Sequence, residues 1–101
     1  MIQYNLSLFI DPNIENDAVI AISKILMPEL SKFESIDKIH LLAINSHQEP
    51  DSKGYSLQFW IKNTEEVPAE IEQIVSTFMA AEFPNQFVYF PSQLSLIHSN
   101  Q

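Results

Sequence analysis

No cysteine occurs among the 101 residues, so a disulfide framework, thiolate catalysis and a zinc site built on sulfur are all excluded. Arginine is absent too, and five lysines stand against thirteen acids for a formal net charge of -8. Phosphate backbones are gripped by clustered Lys and Arg, so nucleic acid is not expected as a partner. Anionic membrane surfaces are disfavoured on the same ground. Glycine occurs once, at Gly54. Phosphate-cradling loops, dinucleotide fingerprints and nucleophile elbows all need several glycines for close backbone approach, and are excluded with it. No apolar run is long enough to span a bilayer, and Met1 leads directly into a strand pattern without a basic leader, so the expected location is the cytoplasm.

Hydrophobic residues make up 46% of the chain and charged ones 18%, a globular rather than a disordered composition. The length predicts one domain, 1–101, with a single core and a thin margin of stability. Association with a second copy would add buried area. The clearest pattern is at the start, where Ile2, Tyr4, Leu6, Leu8 and Ile10 alternate with Gln3, Asn5, Ser7 and Phe9. That is the period of a strand with one buried face. Tyr55, Leu57, Phe59 and Ile61 alternate in the same way with Ser56, Gln58, Trp60 and Lys62.

Between these two strands, Asp11 and Pro12 open a turn, and Val19, Ile22, Leu26, Leu30 and Phe33 follow at helical steps. Pro28 interrupts that stripe, which predicts a helix over 17–27 followed by a kink or a fresh turn. A second strand is expected over 36–46. Either Ile39, Leu41 and Ala43 or His40, Leu42 and Ile44 form its inner face, and the pattern leaves the choice open. A polar connection, 47–53, then runs up to Gly54. Asn63 and Thr64 are caps for a second helix carrying Val67, Ile71, Ile74, Val75, Phe78 and Met79 and ending near Glu82, ahead of Pro84. A fourth strand is expected over 86–90, with Pro91 marking an edge.

Strand, helix, strand, strand, helix, strand is the split βαβ order: a four-stranded antiparallel sheet with both helices on one side and the first and third strands in the middle. Asn5, Ser7, Phe9, Gln58 and Trp60 should then point away from the helices. The core should hold Tyr4, Leu6, Leu8, Val19, Ile22, Leu26, Leu57, Phe59, Ile71, Val75 and Phe78.

Little in the sequence points to catalysis. His40, His47 and His98 show no ligand spacing, and no metal site or cofactor is expected. Glu65, Glu66, Glu70 and Glu72 read as the solvated side of the second helix, and Asp11 and Glu15 as capping acids. An RNA-binding sheet would need basic residues around its aromatics, and these are lacking. What remains is the aromatic content of the open face. Phe9 and Trp60, joined by Tyr89 or Phe90, suit either a face-to-face homodimer or a pocket for a small apolar ligand, with Asn5, Ser7, Gln58 and His40 beside them. Two further readings are a cofactor-free oxygenase or isomerase using His40 or Tyr89, and an acidic adaptor for a basic protein.

The start Met1-Ile2-Gln3-Tyr4-Asn5-Leu6-Ser7, the step Met27-Pro28-Glu29-Leu30 and the strand Gln86-Phe87-Val88-Tyr89-Phe90 resemble the uncharacterised bacterial family DUF4286. The resemblance spans nearly the whole chain. It implies an α+β, ferredoxin-like βαββαβ domain akin to the dimeric α/β-barrel proteins, with no established activity. It also implies a charged or histidine-bearing stretch before the Met27 step and a basic residue after Phe90. Ser23-Lys24-Ile25-Leu26 and Pro91 stand there instead.

Overall fold

A sheet edge would waste strands as apolar as Ile2–Ile10 and Lys53–Ile61, and both run through the middle. A computed structural model gives the arrangement; it describes residues 1–62 and 65–100. The strands are β1 (Ile2–Ile10), β2 (Ile36–Ala43), β3 (Lys53–Ile61) and β4 (Phe87–Leu94), in the spatial order β2-β3-β1-β4. All three pairings are antiparallel. This is the ferredoxin-like α+β arrangement.

Leu6 pairs with Leu57 and Tyr4 with Phe59, so the buried rows of the two central strands coincide. Tyr4, Leu6, Leu8, Ile10, Leu57, Phe59 and Ile61 are all buried, in one cluster with residues from both helical segments. β2 carries an irregularity between Ile36 and Lys38, after which Ile39 opposes Phe59 and Leu41 opposes Leu57. The open choice for β2 is thereby settled: Ile39, Leu41 and Ala43 face the helices, while His40 and Leu42 lie on the other side.

The first helical stretch is continuous from Glu15 to Leu30, as α1 (Glu15–Ala21), a π turn (Ile22–Leu26) and α2 (Met27–Leu30). Its lead-in is a 3₁₀ turn capped by Asp11, whose carboxylate accepts the Asn13 N–H at 2.8 Å. The helical backbone continues through Pro28. The wide turn absorbs it: Met27 N–H bonds back to the Ile22 carbonyl, five residues away, which moves the preceding backbone off the proline ring. The inner stripe is Ala18, Ala21, Ile22, Leu26 and Leu30, and Val19 is only partly buried, so two alanines bring the helix close to the sheet where a valine was expected.

Helix α3 (Val67–Glu82) follows with Pro68 in its first turn. The caps expected at Asn63 and Thr64 lie outside the described residues. Ile71, Val75 and Met79 form its buried line, and Phe78 sits at the margin. β4 runs past Pro91 to Leu94 rather than stopping at Phe90, because an edge strand has one side without a ladder and tolerates a missing donor there. Gly54 likewise lies inside β3, not in the loop before it.

The turn from α3 into β4 is Phe83-Pro84-Asn85-Gln86, closed by Gln86 N–H to the Phe83 carbonyl at 3.2 Å. Asn85 has φ 62°, the left-handed region that Asn tolerates and branched residues do not. Asn85→Val should lower the unfolding free energy by about 1–2 kcal/mol, and Asn85→Gly should leave it near the original value, as read by urea denaturation.

Candidate functional site

One whole side of the sheet has no helix over it. Strand alternation and register place its residues in four rows. Lys38, Trp60, Gln3 and Leu94 cross the sheet at one end, then His40, Gln58, Asn5 and Ser92, then Leu42, Ser56, Ser7 and Phe90, and finally Gly54, Phe9 and Val88. The two middle rows are largely polar, and the end rows hold most of the aromatic and aliphatic groups.

The central polar residues are partnered among themselves. Asn5 Nδ2 donates to Ser7 Oγ at 2.9 Å, Ser56 Oγ donates to Asn5 Oδ1, and Gln58 Nε2 donates to Ser56 Oγ at 3.1 Å. At one end Trp60 is edged by His40, with ring centroids 4.8 Å apart, and Lys38 Nζ lies 4.6 Å from the indole centroid. At the other end the Phe9 ring lies over Gly54. A Cβ on that glycine would sit 3.1 Å from Phe9 Cε1 and 3.3 Å from Ile44 Cβ, so the chain's single glycine makes the seat for this ring. His47 and Phe90 flank Phe9 with centroids at 4.8 Å and 5.9 Å. Val88 and Phe90 are 55% and 58% exposed.

Of the expected group, Asn5, Ser7, Phe9, Gln58, Trp60 and His40 do share this face. Tyr89 does not. Its partner in β1 is Leu8, an inward residue, so the aromatic that β4 contributes is Phe90. Ser56, in the alternating row of Gln58 and Trp60, and Leu42 belong to the face as well, and the pairing register adds Val88 and Leu94.

The Tyr89 hydroxyl instead donates to Glu72 Oε2 at 3.0 Å, and the Tyr4 hydroxyl donates to Glu72 Oε1 at 3.4 Å. Glu72 therefore ties β1 and β4 to α3 and is not one of a row of solvated acids. On the same side Tyr55 donates to Glu15 Oε2, joining β3 to the start of α1. Each of these phenols is held above its ordinary pKa. Burial is the largest cause for Tyr4, and the hydrogen bond to Glu72 is the largest for Tyr89. The bond to Glu15 pushes Tyr55 up to about 12.

No group of three or more His, Asp or Glu side chains is placed to hold a metal ion among the described residues. Nor is any of their helices long and apolar enough to cross a membrane. Hollows lie around the rim of the sheet: one of about 710 Å³ with a mostly polar lining that includes Lys32, Glu34 and Lys62 at the start of β2, one of about 310 Å³ between Phe9, Val88, Asp11 and Asp51, and one of about 200 Å³ beside Glu15, Tyr55 and His47.

Fold and face together define a small ferredoxin-like α+β domain with one uncovered sheet surface. The chain belongs to the family described as Domain of unknown function (DUF4286), whose model matches residues 1–97 of the 101. Searches of curated proteins and of solved structures return no match.

The three phenol bonds set an alkaline limit on stability. Tyrosine ionises near pH 10 in an unfolded chain and higher in this fold, so the bonds contribute fully below about pH 10 and are lost as pH rises through the folded values. Ultraviolet titration should show phenolate forming late, with cooperative unfolding as it forms. Glu72→Gln should move the Tyr4 and Tyr89 titrations down while leaving Tyr55 where it was.

Proposed function

We propose that this protein works as a homodimer whose two copies meet through the open sheet face, and that it is an assembly domain rather than an enzyme. One observation carries the reading. The chain has thirteen acids, and none of them falls on the positions that the register assigns to this face. The face's charged or titratable groups are Lys38 and His40, both drawn against Trp60. Carboxylates are thus confined to the helices, loops and sheet ends of a strongly acidic molecule. Surfaces buried between subunits are depleted of charge at their centre and enriched in aromatics, and this face has that composition.

Other occupants fit less well. The adaptor reading would seat a basic protein on the acidic second helix and makes no use of this face. Nucleic acid would need cations, and the face carries one lysine. A cofactor-free oxygenase or isomerase needs a polar group directed into an apolar pocket. Tyr89 is engaged with Glu72 on the helix side, which leaves His40 as the one candidate, already packed on Trp60. We assign the protein to the cytoplasm, because a chain without cysteine suits a reducing compartment.

Phe90 sits on the face, exposed, and outside the core, so Phe90→Asp should leave folding intact while placing a carboxylate inside the contact. Light scattering coupled to size exclusion should give twice the 11.6 kDa chain mass for the wild type and the single chain mass for the variant. A wild type that stays at the single mass at high micromolar concentration would falsify the proposal.

A further inference from the structure

The inner face of the sheet is not fully filled at the end where β2 turns into β3. Tyr55 and Lys53 pair with Leu8 and Ile10, both buried beneath the helices, so all four belong to that face. Ala43 is level with Tyr55 in β2, and its methyl stands in a row where Ile39 and Leu41 carry full side chains. The shortfall opens into the hollow of about 200 Å³ between the start of α1 and the hairpin, whose lining includes Glu15, Tyr55, Lys53, Asn45, His47 and Ala43.

The charges of this hollow are not used up within the chain. Glu15 stands in the first turn of α1, where acids ordinarily serve the helix N-terminus, but its hydrogen bond runs down to the sheet, with Oε2 accepting from the Tyr55 hydroxyl. The second oxygen, Oε1, accepts from none of the described side chains. The bond pushes the Tyr55 phenol up to about 12, so it stays a neutral donor to Glu15, and its oxygen keeps lone pairs for a further partner. Lys53 is exposed, and the ion pair formed among the described residues is Lys32 with Glu29. Glu15 and Lys53 therefore border one hollow without closing on each other. His47 is held on Phe9 and on Ser52 Oγ at 2.8 Å, and serves as a wall.

Size and charge together define what fits. At about 30 Å³ for each water of the liquid, the hollow has room for roughly seven waters, or for a molecule with about that many non-hydrogen atoms. A nucleotide is too large. An anion alone would be set against Glu15 and would approach a molecule of net charge -8. A cation alone would be set against Lys53. A small zwitterion brings each of the two its opposite and leaves neither charge covered without a partner.

We propose that this hollow binds a small amino acid, with the ammonium on Glu15 Oε1 and the Tyr55 oxygen and the carboxylate on Lys53 Nζ. Both poles lie on the helix side of the sheet, away from the face assigned to the dimer, so the site needs no second copy.

The test follows backbone amide resonances of the full chain during titration with alanine, β-alanine and γ-aminobutyrate, which set the two charges at increasing separation. Propionate and n-butylamine supply one pole each. At least one of the zwitterions should give saturable shifts at residues 15, 43–45 and 53–55, and the single-pole compounds should bind tenfold or more weakly. Lys53→Met and Glu15→Gln should each weaken binding by roughly tenfold or more while leaving the remaining spectrum in place, since the glutamine can still accept from Tyr55. Ala43→Leu, at an exposed position of the edge strand, should fill the hollow and abolish the shifts. Absence of saturable shifts with all three zwitterions up to concentrations on the order of 10 mM overturns the proposal. Propionate or n-butylamine binding as tightly as the zwitterions overturns it as well, and so does binding that survives Lys53→Met or Ala43→Leu unchanged.

Discussion

The two-sidedness of β1 and β3 is the constraint from which the rest of the molecule follows. Leu6 opposite Leu57 and Asn5 opposite Gln58 lock the register, since a slip by one residue would carry every leucine to the open side and bring amides into the core. Asparagine and glutamine side chains buried without partners cost several kcal/mol on the order of two to seven each, so the slipped register is not a competitor. With that pairing fixed, the helices have one surface to cover. The core they make with it holds no buried charged group among the described residues.

The polar atoms that do sit close to the core serve as ties between layers. Glu72 accepts from Tyr4 and Tyr89 and so holds the middle and one edge of the sheet to α3, while Glu15 accepts from Tyr55 and holds β3 to the start of α1. Both carboxylates stand at the margin of the core, where solvent limits the desolvation of the ions. Placing acids here and none on the open side separates the molecule into a charged shell around the helices and a nearly neutral sheet surface. For the dimer proposed above, repulsion at a net charge of -8 would act mainly through the acids on the helices, loops and sheet ends.

Much of this is legible in the residues alone. The alternation of 2–10 and 55–61 gives the central strands, their faces and the outward place of Phe9 and Trp60. Where the reading departs from the structure, a single residue changes the local geometry. The irregularity between Ile36 and Lys38 puts Ile36 and Ile39 on the same side although they are three residues apart, while from 38 on the strand alternates regularly and its faces stay open in the sequence because both candidate rows carry apolar residues. A π turn takes up Pro28 where a kink was expected, because the extra residue in one turn relieves the same clash that a bend would. Tyr89 follows from register too: it is opposite Leu8, and that pairing is not visible from a five-residue aromatic run. Gly54 reads in the sequence as the end of a loop, yet it lies inside β3 because Phe9 packs across it.

Symmetry links the composition of the open side to its proposed contact. Apolar groups occupy its two ends, Phe9, Phe90 and Val88 at one and Trp60 and Leu94 at the other, with the amide and hydroxyl ladder between them. An axis parallel to the strands sets β1 over β3 and β4 over β2 of the other copy, so Phe9 comes opposite Gly54, Phe90 opposite Leu42 and the ladder opposite the ladder. An axis across the strands would instead set the Phe9 end against Trp60 and its attendant lysine. The ladder is already partnered within each copy through Asn5, Ser7, Ser56 and Gln58, so covering it forfeits few bonds to water and leaves few donors stranded. The first axis is therefore the one that matches chemistry to chemistry in the proposed contact.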